Sequence, residues 1–313
     1  MTKIAFIFPG QGSQVVGMGQ QLIENNVESR KFYDQADEAL GFSLSDIMLN
    51  GSAEELTKTY NAQPALLTTS SMIAAKLVEA GINPDFTAGH SLGEYSALVA
   101  SNTLSFEDAV LLVHQRGLFM NEAVPAGEGA MAAILGMDKE ALNEVTTEVS
   151  KDGHLVQVAN LNCPGQIVIS GTVAGVNEAS EKAKQAGAKR AIPLVVSGPF
   201  HSELMRPAAA KLDEAISAIA LQDAQVPVIS NVTALPVIEA ASMKSLLVEQ
   251  LYSPVRWEQS VEKMLELGVT VFIECGPGKV LSGLVKKIDR SVTTYCVHDE
   301  DSLQQVITEL GGS

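Results

Sequence analysis

The stretch Phe86-Thr87-Ala88-Gly89-His90-Ser91-Leu92-Gly93-Glu94-Tyr95 decides how this chain of 313 residues is read. Phe86 to Ala88 make a short strand. Leu92, Tyr95, Leu98 and Val99 recur at helical spacing and predict a helix beginning at Leu92. Between them stands Gly-x-Ser-x-Gly. A strand, this pentapeptide and a helix form a nucleophile elbow, with Ser91 on a strained turn and its hydroxyl exposed. Small residues at 89 and 93 let neighbouring backbone pass close by. The helix aims N–H groups and the positive end of its dipole at any oxyanion formed there. The plain alternative is a turn without chemistry; the flanking elements favour the nucleophile.

A serine hydroxyl needs a base, and elimination among five histidines leaves His201. It lies in Ser197-Gly198-Pro199-Phe200-His201-Ser202, a loop with neither helical nor strand pattern. His90 adjoins Ser91 and should point elsewhere off the elbow; His114 falls inside a helix; His154 and His298 lie in polar surroundings. Arg116 shares a face with Ala109, Leu112, Val113 and Met120 on a helix predicted from Ser105 to about Asn121, with the Ser105 side chain as cap. An arginine on an apolar stripe either snorkels to an edge or pairs with something buried. If it faces the serine, its planar fork suits a carboxylate. Gly10-Gln11-Gly12 is no dinucleotide loop, because Val15 replaces the third glycine, and no phosphate-loop Lys-Ser/Thr follows. A glycine turn offering backbone N–H groups beside a sheet edge suits an oxyanion loop.

Working outward, Ile4 to Phe8 reads as a buried strand, and 64–80 as a helix with Pro64 at its first position and Gly81 as its stop. Residues 128–196 alternate: strand 129–136, helix 138–151, strands 155–161 and 166–171, helix 173–186, strand 189–195. That βαββαβ order predicts a ferredoxin-like subdomain. Helix 207–220, strand 226–231, helix 255–267, strand 269–274, helix 277–288 and strand 292–297 then restore a parallel, helix-covered sheet. The expected class is α/β. A large α/β-hydrolase-like domain of parallel sheet, residues 1–126 and 197–313, carries an inserted ferredoxin-like subdomain, residues 127–196.

The chain is 46% hydrophobic and only 5% aromatic, which suits helices packed tightly on a parallel sheet. Its formal charge of -16 argues against nucleic acid as a partner. The N-terminal apolar run is too short for a signal peptide, and no stretch approaches the ~18–20 apolar residues of a membrane span. Cys163, Cys275 and Cys296 show no metal spacing and read as reduced, half-buried thiols of a cytoplasmic protein. No HxH or HExxH pairs the histidines, so neither a metal nor another cofactor is expected.

The motifs together resemble the malonyl-CoA:acyl-carrier-protein transacylase family of bacterial fatty-acid synthesis. They are FPGQGSQ at 8–14, GHSLGEY at 89–95, QRG at 115–117, NxNxPGQ at 160–166, FHS at 200–202, Gln250, and ECGPGKVL at 274–281. The core motifs show no departure; 234–247 and the tail look individual. The resemblance implies transfer of a malonyl group from malonyl-CoA to the phosphopantetheine thiol of acyl carrier protein, through an ester on Ser91 with His201 as base. Gln11 and Leu92 match the backbone donors of the oxyanion hole. Arg116 matches the residue that grips the malonyl carboxylate, Met120 and Phe200 match pocket positions, and Asn160 and Asn162 match the mouth of the cleft. Gln250 matches the position whose backbone carbonyl orients the histidine, a role that leaves its side chain replaceable.

Carrier proteins of these systems are acidic, so docking on an acidic enzyme calls for a local basic patch. Lys189, Arg190, Lys279, Lys286, Lys287 and Arg290 are the candidates, against the alternative of a solvated helix face. Two competing classes remain. A serine hydrolase or thioesterase would place Asp or Glu between Ser91 and His201 in chain order. A non-catalytic carrier-binding subunit would not need both Ser91 and His201.

Overall fold

A computed structural model describes residues 2–311 apart from 25 and 126. The strands are β1 (Lys3–Phe8), β2 (Phe86–Gly89), β3 (Gly129–Leu135), β4 (Val156–Cys163), β5 (Gln166–Thr172), β6 (Arg190–Pro193), β7 (Val228–Ile229), β8 (Pro236–Val237), β9 (Val269–Cys275) and β10 (Thr293–Val297). They form two sheets. One has six strands in the order β10-β9-β1-β2-β7-β8, the other four in the order β4-β5-β3-β6. Every neighbour in the first is parallel except β8, which pairs antiparallel with β7 at the edge. The second is antiparallel throughout. Residues 129–193 run strand, helix, strand, strand, helix, strand, as the alternation predicted.

β1 shows why the large sheet is covered on both faces. Successive side chains on a strand point to opposite sides. Phe6 and Phe8 enter a core with Leu66, Ile73, Leu92 and Tyr95, while Ala5 and Ile7 enter another with Trp257, Val261, Met264 and Leu284. All four β1 residues are fully buried, the signature of a strand between helical layers. Met131 and Val168 on the small sheet contribute to the first of these cores, so the sheets face each other across shared apolar packing.

Several expected boundaries move, and three of them have a visible cause. The helix expected from Pro64 begins at Thr59, placing Pro64 in its second turn. Proline there cannot donate to the carbonyl four residues back. That carbonyl, on Tyr60, instead accepts from His114 Nδ1 at 2.7 Å, so a neighbouring helix supplies the missing donor. The strand expected over 226–231 is only Val228–Ile229: Ser230 O takes the Ala234 N–H and Asn231 turns away toward the elbow. The helix expected from 277 starts at Val280, because buried Glu274 at the end of β9 accepts from the N–H groups of Leu281 and Ser282 and caps it there.

Residues 20–57 hold four helices the sequence reading left unassigned, and Ala240–Gln250 and Glu300–Leu310 are two more. Cys163 and Cys275 are fully buried, not half-buried, and only Cys296 is partly accessible; all three are free thiols. Among the described residues no helix is long and apolar enough to cross a membrane.

The Pro64 arrangement is testable. His114→Phe keeps the ring but removes the donor, leaving the Tyr60 carbonyl unsatisfied. Urea unfolding should show a loss of about 1–3 kcal/mol at unchanged m-value.

Candidate active site

The turn after β2 is built by close backbone approach. A Cβ at Gly89 would lie 1.9 Å from the carbonyl carbon of Gly93, and one at Gly93 would lie 2.1 Å from Phe8 O. Only glycine fits at either position. Ser91 itself has φ 52° and ψ -105°, a backbone conformation that is costly for any residue with a side chain. Asn231 holds it there. Its Oδ1 accepts the Ser91 N–H at 2.7 Å, and its Nδ2 donates to Gly89 O at 2.6 Å, so one side chain straps both limbs of the turn.

Ser91 Oγ lies 2.8 Å from His201 Nε2. The other ring nitrogen, Nδ1, lies 2.8 Å from the main-chain oxygen of Gln250. A carbonyl only accepts, so Nδ1 carries the proton and Nε2 is left to accept from the serine hydroxyl. A hydrolase-type triad would have Asp or Glu at Nδ1; here that place belongs to a backbone carbonyl. Burial and then the Arg116 charge push the His201 pKa down to about 3, so the ring is a neutral acceptor at physiological pH.

Arg116 resolves the choice between snorkelling and pairing. It is 1% exposed, far from any edge. Nη1 donates to Gln63 Oε1 at 2.8 Å; Nη2 donates to Gln250 Oε1 at 2.9 Å and to Ser91 Oγ at 3.1 Å. The guanidinium also lies 5.3 Å from the centre of the Tyr95 ring. Nε has no hydrogen-bond partner, and no carboxylate forms an ion pair with Arg116 among the described residues. A fully buried cation thus bonds only neutral oxygens; the Glu94 charge acts on it without an ion pair, which leaves the fork free for an arriving anion.

These groups open into a cavity of about 360 Å³ between the two sheets. Ser91, His201, Gln11, Leu92, Arg116, Met120, Asn160, Asn162 and Phe200 all line it, and Gln250 lies directly behind. The N–H of Leu92 opens the helix Leu92–Ala100 and is one of those a helix start leaves without an intrahelical acceptor. Met131, Ala133 and Val168 close the opposite wall from the small sheet. The described residues contain no cluster of three or more His, Cys, Asp or Glu side chains that could hold a metal ion.

Four residues of the site escaped the sequence reading or were misplaced by it. His90 points off the serine, as expected, yet stays within the site: it lines the cavity and its Nε2 bonds Asn162 Oδ1 at 2.9 Å, with burial lowering its pKa. Gln63 holds Arg116 with its oxygen and contacts Met120 Sδ with its nitrogen. Asn231 carried no signal, being a lone asparagine after a two-residue strand. Glu94 lay inside the GHSLGEY motif and went unused, although it is buried at the centre of the network. The Gln250 side chain, expected to be replaceable, is itself bonded within the site: Oε1 accepts from Arg116, and Nε2 donates to Ser91 O at 3.0 Å and to Glu94 Oε2 at 2.7 Å.

A strained elbow with a histidine acceptor on its serine defines the class of serine-nucleophile α/β enzymes. The chain belongs to the acyl transferase domain family, whose profile matches residues 5–305. It is 64% identical over 310 residues to the malonyl CoA-acyl carrier protein transacylase of Bacillus subtilis (strain 168), covering 99% of this chain and 98% of that protein. The protein of that name from Staphylococcus aureus (strain MW2) is 49% identical over 292 residues, covering 93% and 94%. A malonyl-transacylase solved with a type II PKS acyl-carrier protein superposes with TM-score 0.96 at 42% identity, covering 98% of this chain and 100% of that one. An acyl carrier protein S-malonyltransferase from Vibrio cholerae O1 biovar eltor gives TM-score 0.95 at 43% identity, covering 97% and 100%. The likeness seen in the motifs therefore extends over the whole chain.

The strap predicts a phenotype for Asn231→Ala. Freeing Ser91 N–H and Gly89 O should cost about 1–3 kcal/mol of stability in denaturant unfolding. The acylation rate should fall by roughly tenfold or more, because the serine loses its fixed approach. Unchanged stability and rate together would mean that the glycine contacts alone maintain the turn.

Proposed function

We propose that this chain transfers a malonyl group from malonyl-CoA to the phosphopantetheine thiol of acyl carrier protein, supplying fatty-acid synthesis. The observation that carries this reading is Arg116: a buried guanidinium bonded to Ser91 Oγ and otherwise to neutral oxygens. Attack on an acyl group does not require an arginine beside the nucleophile. An acyl group that ends in a carboxylate does.

Each half-reaction uses the same few atoms. Ser91 Oγ attacks the thioester carbonyl while its proton passes to His201 Nε2. The oxyanion collects against the backbone N–H groups of Gln11 and Leu92, donors worth ~3 kcal/mol each in comparable sites. The C–S bond then breaks and the departing sulfur takes the proton from Nε2. In the second half the carrier thiol gives its proton to Nε2, attacks the malonyl ester and releases Ser91, which recovers the proton. A thiolate is a better leaving group than an amine, so the imidazolium needs less support than in a protease. The Gln250 carbonyl can therefore stand where a triad carboxylate would. Malonyl-CoA is a substrate and the sequence of steps calls for no cofactor.

Several further readings go with this one. The parallel sheet with the elbow supports an α/β-hydrolase-like large domain, residues 1–126 and 197–313, with residue 126 itself outside the described ones. The antiparallel order β4-β5-β3-β6 with two crossover helices supports a ferredoxin-like subdomain over 127–196. Asn160 and Asn162 would meet the pantetheine arm, with Met120 and Phe200 beside the acyl carbon. A cytoplasmic site of action suits the substrates. For carrier docking, exposed Lys287 is the best placed of the basic candidates, since its Nζ donates to Gln166 Oε1 on the cavity wall at 3.0 Å. Exposed Lys189, Arg190, Lys279 and Arg290 can extend the patch. Lys286 is occupied locally by the carbonyls of Val292 and Arg290.

Intact-mass analysis tests the covalent step. Protein mixed with malonyl-CoA should gain one malonyl group, lose it on adding holo carrier protein, and gain nothing as Ser91→Ala. Steady release of free malonate without a thiol acceptor would favour the hydrolase instead.

Selectivity tests the role of Arg116. Arg116→Ala should lower kcat/KM for malonyl-CoA about 10²-fold, since hydrogen bonds to a charged group contribute ~1.5–3 kcal/mol, while acetyl-CoA is spared or improved. Arg116→Lys should recover only part, because a point charge cannot reproduce the fork. Equal losses on both substrates would make Arg116 structural.

A further inference from the structure

Glu94 stands three residues beyond the nucleophile on the helix Leu92–Ala100 and is 0% exposed. A buried carboxylate is costly unless something answers it. The groups bonded to it are neutral. Oε2 accepts from Gln250 Nε2 at 2.7 Å and from the Asn231 N–H at 3.2 Å, while Oε1 has no partner among the described residues. Burial pushes its carboxyl up to about 7, and those two bonds together with the Arg116 charge pull against that rise.

Gln250 makes the connection to the reacting groups. A side-chain amide has a donor end and an acceptor end. Nε2 faces two acceptors, Glu94 Oε2 and Ser91 O, which leaves the oxygen end for Arg116 Nη2. The main-chain oxygen of the same residue holds His201 Nδ1. Serine, base and arginine thus share one residue, and Glu94, the charged one of two acceptors on Nε2 and the nearer, fixes with Ser91 O which way round its amide sits.

We propose that Glu94 is the positioning residue of this site: its carboxylate locks the Gln250 amide with the oxygen toward Arg116, and it balances the buried guanidinium until the acyl carboxylate arrives. The proposal rests on the malonyl reading of Arg116. Glutamine at 94 can offer either amide end to Gln250, so the stronger of the two contacts on Nε2 is given up, the amide is held on that side by Ser91 O alone, and kcat falls. The same change removes a negative charge that competes with the substrate carboxylate, so KM does not rise. A merely structural defect would not separate the two constants in this way.

The test compares wild type, Glu94→Gln, Gln250→Ala and the double variant at pH 8, with malonyl-CoA and holo carrier protein. Wild-type turnover checks the malonyl reading itself, so its failure is distinct from failure of the proposal. Glu94→Gln should lose about tenfold or more in kcat, with KM for malonyl-CoA unchanged or lower. The double variant should be no worse than Gln250→Ala, because Glu94 acts through that side chain. The deficit of Glu94→Gln relative to wild type should also shrink from pH 8 to pH 6, as the wild-type carboxyl takes a proton and becomes neutral like the amide. The charged and titratable groups that act on it are Arg116 on the helix Phe106–Glu122 and Tyr95 on its own helix. If Glu94→Gln does not fold, Glu94→Asp withdraws the charge by one methylene and should show the kcat loss instead. A raised KM at constant kcat, additive losses in the double variant, or a deficit independent of pH would overturn the proposal.

Discussion

A positive charge sealed inside the molecule governs the arrangement of everything near the cavity. Taking an ion out of water costs several kcal/mol even after relaxation, so its surroundings must supply oxygen. Around Arg116 they do: Gln63, Gln250 and Ser91 each present one, from three separate parts of the chain. None of the three is charged. Neutral acceptors hold the fork in place and orient it, yet leave room for a substrate anion to gain by arriving. The same positive charge helps keep His201 unprotonated, which is the state a base needs before it acts. One buried side chain thereby touches the Ser91 hydroxyl, biases the protonation of His201 and, in the proposed reaction, selects the substrate.

The second constraint is geometric. The elbow brings the backbone of Gly93 against Phe8 and that of Gly89 against Gly93, so β1, β2 and the helix after Ser91 meet with no side chain between them. Strain at Ser91 persists because Asn231 bonds both sides of the turn. Asn231 can reach because β7 ends after two residues. A longer strand would carry its backbone past the elbow and leave the turn unstrapped. The small sheet completes the arrangement by placing Val168, Met131 and Asn160 opposite the serine, which turns an exposed elbow into a walled cavity.

Legibility in the sequence followed the range of the interactions. The strand-turn-helix around Ser91, the capped helix beginning after Ser105 and the strand-helix alternation from 129 to 193 are written in neighbouring residues, and all appear where the local pattern put them. Pro64 misled because its cost is met by His114, fifty residues later and invisible to any local rule. Glu94 and the side chain of Gln250 were overlooked for the same reason. A glutamate on an amphipathic helix ordinarily faces water, and nothing within a few residues says that this one does not.

Taken alone, the sequence determined the α/β class and singled out Ser91, His201 and Arg116, because a tight elbow, a loop histidine and an arginine on an apolar helix face are short-range patterns with few physical readings. Tertiary structure alone decided that Arg116 is sealed in and bonded to the serine, that the Gln250 side chain ties Arg116 to the elbow, and that Glu94, Asn231 and Gln63 belong to the site. Those facts depend on desolvation and on hydrogen bonds between residues as far apart in the chain as Ser91 and Gln250. Burial and partner choice are properties of the folded packing, and no stretch of sequence carries them by itself.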